Sequence, residues 1–222
     1  MKFLADHDLH CHFSLSACCE DARMTPEAML RRAEALGLSA LCITDHLWDA
    51  AVPEASSWYA PQDIEHVKGA LPLPQSDTVR FLFGCETEYC GGSKLGLAPE
   101  HFDLFDFIVI PPNHFHMRGF VRPEGIDTEE AVAEMLVRRL MEISRMDLPF
   151  EKVGIAHMTC SLTMREGDPF RVFELVDEDE YRAAMRAFAM KGAGIELNAG
   201  VLSAPPGREE AGMRLYRLAR EE

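Results

Sequence analysis

Five apolar runs along this chain, each short enough for a β-strand, are each followed by an imidazole or a carboxylate. His10 and His12 close the first run, residues 3–9, and His46 follows the second, 40–44. Glu86 closes the third, 79–85; His114 follows the fourth, 105–110; His157 ends the fifth, 153–156. In a barrel of parallel strands and helices the carboxyl ends of all strands meet on one rim, and that rim holds the reactive groups. Side chains scattered from position 10 to position 157 would then converge on one pocket. Imidazoles gathered around a carboxylate are the donor set of a metal site.

The segments between the runs read as helices. Thr25 has the place of an N-cap and Pro26 that of a first helical residue, with Met29, Ala33 and Leu36 at helical spacing and Gly37 as C-cap. Asp127 and Glu130 have the layout of a capping box, and Val132, Leu136, Leu140 and Ile143 form the buried stripe of a long helix. Tyr181, Met185 and Phe188 mark another; 194–197 reads as a sixth short strand and 208–220 as a last helix. Strands alternating with helices imply a parallel α/β arrangement. Two connections are long. Residues 47–77 carry Trp48, Trp58, Tyr59 and four prolines, with room for one short helix around 64–68. That length suits a lid or binding loop, or a cover of aromatics packed on the barrel. The second, 118–125, follows the fourth candidate ligand directly.

Bulk properties narrow the classes further. At 222 residues the chain is most simply one domain, 1–222, near the usual size of a barrel. No apolar stretch reaches the roughly 18 residues of a membrane span, and the N-terminus lacks a signal-peptide layout, so a cytoplasmic protein is expected. Seven cysteines without scaffold-like spacing read as reduced thiols. A net charge of −15 opposes a long nucleic acid by repulsion, yet leaves room for a small phosphorylated substrate once bound cations supply local positive charge.

Asp8-Leu9-His10-Cys11-His12 places two imidazoles on the same side of an extended segment, because side chains two apart point the same way. With Thr44-Asp45-His46 and Gly84-Cys85-Glu86 downstream, the chain resembles the PHP (polymerase and histidinol phosphatase) family of metal-dependent phosphoesterases, from residue 6 to about residue 200. The resemblance implies a distorted (β/α)7 barrel with two or three divalent ions, zinc, iron or manganese, at its rim. It implies that His10 and His12 hold the first ion, that Glu86 bridges it to a second that also takes His114 and His157, and that His46 binds a third. The third ion would take a further ligand from the loop after His12, which offers Cys18, Glu20 and Asp21. Glu20 is the expected one, since a hard oxygen matches the other donors. His116 rivals His114, two residues on. His7, His66 and His101 read as ordinary histidines. Asp8, Asp45, Glu196 and Asn198 stand where they would orient ligands or cap strands.

The chain departs from the family at one point. The family places an Asp and a His after a seventh strand, whereas the last Asp here is Asp179 and the last His is His157. The expectation is therefore a barrel lacking its last strand, with edges open to pairing with a second copy. The function implied is hydrolysis of a small phosphate monoester, histidinol-phosphatase-like, by a metal-bridging hydroxide. A phosphodiesterase acting on short nucleotides and a catalytically inactive metal-binding domain are the alternatives. Arg118 and Arg165, after His114 and His157, and Lys94, after Glu86, are candidates to clamp phosphate oxygens, each equally readable as a solvated charge.

Overall fold

The structure, a computed structural model, describes residues 5–198, 201 and 204–222. The chain divides into two compact units. One comprises the described residues through Thr87 together with Gly96–Val109; the other comprises Glu88–Leu95 and Ile110–Glu222.

The first unit is built on parallel strands. Strands β1 (His7–Cys11), β2 (Ala40–Ile43), β4 (Arg80–Thr87) and β7 (Phe107–Ile110) pair in that order, with the two-residue β3 (His46–Leu47) also alongside β4. His7 pairs with Ala40, Ala40 with Arg80 and Ile43 with Phe83, all in parallel register. Parallel strands require a crossover. Helix α1 (Pro26–Leu36) provides the one between β1 and β2, and its ends form as their residues dictate. Thr25 is extended and accepts from the Ala28 N–H, Pro26 opens the first turn, and Gly37 adopts the left-handed conformation at φ 71°. The helix buries Met29, Leu30 and Ala33, while Leu36 is exposed.

Gly84 lies where β2, β4 and β7 crowd together. A Cβ there would stand 2.5 Å from the Phe107 carbonyl oxygen and 2.7 Å from Cys42 Sγ. The long connection after β3 holds helix α2 (Ile64–Val67) as expected, and its Trp48 and Tyr59 are fully buried.

The second unit carries the antiparallel hairpin β5 (Tyr89–Gly91) and β6 (Lys94–Leu95), which the sequence did not announce, and the parallel pair β8 (Val153–Ile155) and β9 (Gly194–Ile195). Helix α3 (Glu129–Ser144) packs on α4 (Pro169–Leu175) and α5 (Glu178–Lys191), and α6 (Glu209–Glu221) packs on the same two. The stripe of Val132, Leu136, Leu140 and Ile143 is buried, as are Tyr181, Met185 and Phe188.

Several boundaries shift from the sequence reading. Thr128, not Asp127, caps α3 by accepting from the Ala131 N–H, because the Asp127 carboxylate is taken by Arg118 at 2.6 Å. The first run is a strand from His7 onward, and its residues 3 and 4 lie outside the described residues. Strand β7 begins at Phe107 because Pro99–Leu104 forms 3-10 turns just before it. Among the described residues no strand follows β9, and no helix is long and apolar enough to cross a membrane.

Two substitutions check this packing by urea denaturation. Gly84→Ala is expected to destabilise by at least about 1–3 kcal/mol through overpacking against backbone. Thr128→Ala is expected to cost about 1 kcal/mol, the usual loss of an N-cap. Wild-type midpoints for either would contradict the corresponding contact.

Candidate metal centre

The parallel ladders of the first unit decide where its ligands stand. His10 lies on β1 and His12 just past its end, two residues on and so facing the same way. Pairing of β3 with β4 sets His46 directly beside Glu86. The Glu86 N–H donates to the Asp45 carbonyl, and the Thr44 N–H donates to the Cys11 carbonyl, so the β1, β2 and β4 ends are tied together. In consequence three imidazoles focus on one oxygen. Glu86 Oε2 is 3.4 Å from His10 Nε2, 3.2 Å from His12 Nε2 and 3.0 Å from His46 Nδ1. The His12 and His46 rings stack at 4.6 Å, and the His10 ring meets His12 edge-on at 5.2 Å.

Electrostatics follow from that packing. Glu86 is wholly buried, which by itself would raise its pKa, but His46, His10 and His12 hold it well below the usual carboxylate value. Burial disfavours a charged His12, yet the Asp45 and Glu86 carboxylates prevail and raise it to about 10. Burial also pushes the Asp45 carboxyl up, against the pull of His12 at 3.7 Å and of the Phe13 N–H. Donor atoms of His10, His12 and Glu86 lie close enough together to hold one ion, and so do those of His12, Cys18 and His46. The chemistry fits a divalent cation. Imidazole nitrogens surround an ionised carboxylate, and the buried Nδ1 of His12 has no hydrogen-bond partner.

The loop after β1 contributes Cys18 to these groups and not the expected Glu20, which is exposed and stands in neither group. Asp21 is bound by Arg23 through both carboxylate oxygens, at 2.7–3.1 Å. The long connection covers the His46 side. Tyr59 Oη lies 3.2 Å from His46 Nδ1, and Trp58, half exposed, meets the His46 ring edge-on at 4.9 Å.

In the second unit His114 and His157 come together with ring centroids 4.8 Å apart. His114 is buried, with Nδ1 2.5 Å from Glu88 Oε1. His157 has φ 59°, unusual for a residue with a side chain. That backbone is fixed from both sides: the His157 N–H donates to Glu196 Oε2 at 2.6 Å and the Asn113 amide donates to the His157 carbonyl at 2.6 Å. Asn198 Nδ2 is 3.4 Å from its ring. Glu196 and Asn198 thus support His157, one of the two roles the sequence left open. His116 is half-buried, and burial with the neighbouring His114 lowers it to about 4.

The candidate phosphate clamps are placed less tellingly. Arg118 is committed to Asp127 at 2.6 Å and to Glu166 at 3.4 Å; Arg165 is exposed; Lys94 sits half-buried on β6. The remaining histidines are bonded elsewhere, His7 to Asp6, His66 to the Leu15 carbonyl and His101 to Asp49. Sequence reasoning missed Glu88, and it named Tyr59 only as an aromatic of the long connection without its contact to His46. The Glu86-Thr87-Glu88 spacing was the available sign for the first, since residues two apart on a strand share a face. Nothing local marked Tyr59 as the partner of His46.

A PHP domain model matches residues 8–200, so the chain belongs to the PHP domain family. No curated protein matches it. Among solved structures it is similar to the histidinol phosphate phosphatase of Lactococcus lactis subsp. lactis Il1403, crystallised with zinc, L-histidinol and phosphate. That likeness is 14% identity over 97% of this chain and 94% of the other, with a TM-score of 0.45.

The raised His12 sets a pH dependence. Without metal the ring is protonated at neutral pH, and a cation has to displace that proton to use the nitrogen. Affinity should therefore fall as pH is lowered from about 10, by about tenfold per unit for one proton. Calorimetric titration with zinc in buffers of different ionisation enthalpy should show proton release at pH 7.5. Heats independent of buffer would contradict the assignment.

Proposed function

We propose that this protein is a metal-dependent phosphoesterase that hydrolyses a small phosphate monoester. The observation that carries the reading is the convergence of His10, His12 and His46 on the buried Glu86 carboxylate, in a chain of the PHP family. When bound, a divalent ion supplies Lewis-acid charge for a phosphoryl oxygen and lowers the pKa of a water molecule from 15.7 to about 7.

The chain's own residues do the rest. His10 and Glu86 would hold one ion and His46 a neighbouring one, with His12 within reach of either. His114 and His157 are assigned to a further ion, with Glu88 orienting the His114 ring and Glu196 and Asn198 holding His157. Asp45 steadies His12 by its charge, and Tyr59 does the same for His46 through its hydroxyl. Glu86 stays ionised throughout the neutral range and so remains a ligand. Trp58, exposed beside His46, offers an apolar face next to the ions for the organic part of a substrate. The surplus of acidic side chains repels long polyanions and favours a substrate small enough to sit within the cations' field.

A panel of monoesters, including histidinol phosphate, and a diester such as bis-p-nitrophenyl phosphate tests this with added zinc, manganese or iron. Monoester turnover should exceed diester turnover and stop on chelation. His10→Ala and Glu86→Gln should each lower kcat/KM by at least about 100-fold, the upper end of what losing even an outer partner of a metal ligand costs. Turnover that survives chelation and Glu86→Gln would refute the proposal.

A further inference from the structure

The loop between β1 and α1 brings a sulfur to the metal centre where an oxygen was expected. One donor atom each from His12, Cys18 and His46 lie within 4.8 Å of one another. The two acidic residues of that loop do not compete. Asp21 is locked to Arg23, whose side chain and backbone N–H both reach the carboxylate, and Glu20 is exposed outside the group.

Cys18 Sγ is 3.3 Å from Ser16 Oγ, and Ser16 is buried. Ser16 Oγ in turn accepts from the His46 N–H at 3.5 Å. Ser16 thus ties the Cys18 sulfur to the backbone of β3 at the residue that carries the His46 ring. The adjacent Cys19 is oriented differently, its sulfur 3.9 Å from the Asp21 carbonyl oxygen.

On this geometry, and resting on the reading that the histidine–glutamate cluster holds metal, we propose that Cys18 ligates an ion as a thiolate with His12 and His46. Two imidazoles and one thiolate select a thiophilic ion, and three protein ligands leave zinc a fourth position for water or substrate. Manganese and magnesium prefer oxygen donors and are the poorer fit. This corner of the site is therefore a zinc position; it shares His12 with the group of His10, His12 and Glu86, so the His12 imidazole serves one ion or the other. Because Cys18 is exposed, the ligand is also open to thiol reagents whenever the ion is absent.

Cobalt(II) loading of the full chain reads the bond directly. A thiolate ligand gives an intense near-ultraviolet charge-transfer band; the band should be present in wild type and Cys19→Ser and lost in Cys18→Ser. Zinc loading should also slow alkylation of Cys18 in the wild-type protein, mapped by mass spectrometry, by at least about tenfold, with the rate restored by chelation. Metal uptake without the band, a band that survives Cys18→Ser, or an alkylation rate indifferent to zinc would overturn the thiolate assignment while leaving the proposed phosphoesterase in place. A wild-type protein that takes up no metal would overturn both.

Discussion

A carboxylate with no solvent exposure has to be compensated or neutralised, and the Glu86 carboxylate is compensated by three imidazoles, His10 and His12 from the end of β1 and His46 from β3. That requirement organises the first unit. The β1·β2 and β2·β4 registers bring the ends level, the β3·β4 pairing puts His46 beside Glu86, and the Asp45 carbonyl fixes the Glu86 amide. Without a cation the site holds itself together by mutual attraction between an ionised acid and a His12 whose proton is hard to remove. A bound cation would have to replace that proton, so the charges that stabilise the cluster would compete with metal.

The surrounding sheet allows little room for adjustment. Gly84, two residues before Glu86, presses against the Phe107 carbonyl and the Cys42 sulfur, so the strand that carries the central carboxylate is held from both flanks. Gly96 makes a similar close approach to Trp48 and Thr87, which fixes the start of the long connection whose Tyr59 reaches His46. Close-packed backbone around a site transmits strain instead of absorbing it, and positions far from the ligands therefore bear on their geometry.

Much of this was legible in the sequence because it rests on local rules. The alternation of apolar runs with capped helices gave the α/β class, and Thr25, Pro26 and Gly37 marked α1 to the residue because their conformations are intrinsic. His10, His12, His46 and Glu86 were visible as strand-end residues, and the His114–His157 approach followed from the same logic. What could not be read depended on competition between partners distant in sequence. Arg118 takes the carboxylate of Asp127 and so passes the α3 cap to Thr128; the sequence left it open as a phosphate clamp or a solvated charge. Arg23 removes Asp21 from the loop choices, and the loop path brings the Cys18 sulfur rather than a Glu20 oxygen near the His12 and His46 nitrogens. The Tyr59 contact spans thirteen residues of irregular chain, where no periodicity constrains direction.

The central claim is that Glu86 and the imidazoles around it are a cation site and not only a buried salt-bridge cluster. A crystal grown with zinc, with data collected on both sides of the zinc absorption edge, measures this most directly. The account predicts an anomalous peak within bonding distance of His10 Nε2, His12 and a Glu86 oxygen. Peaks confined to surface carboxylates, with the imidazoles still closed on Glu86, would contradict it.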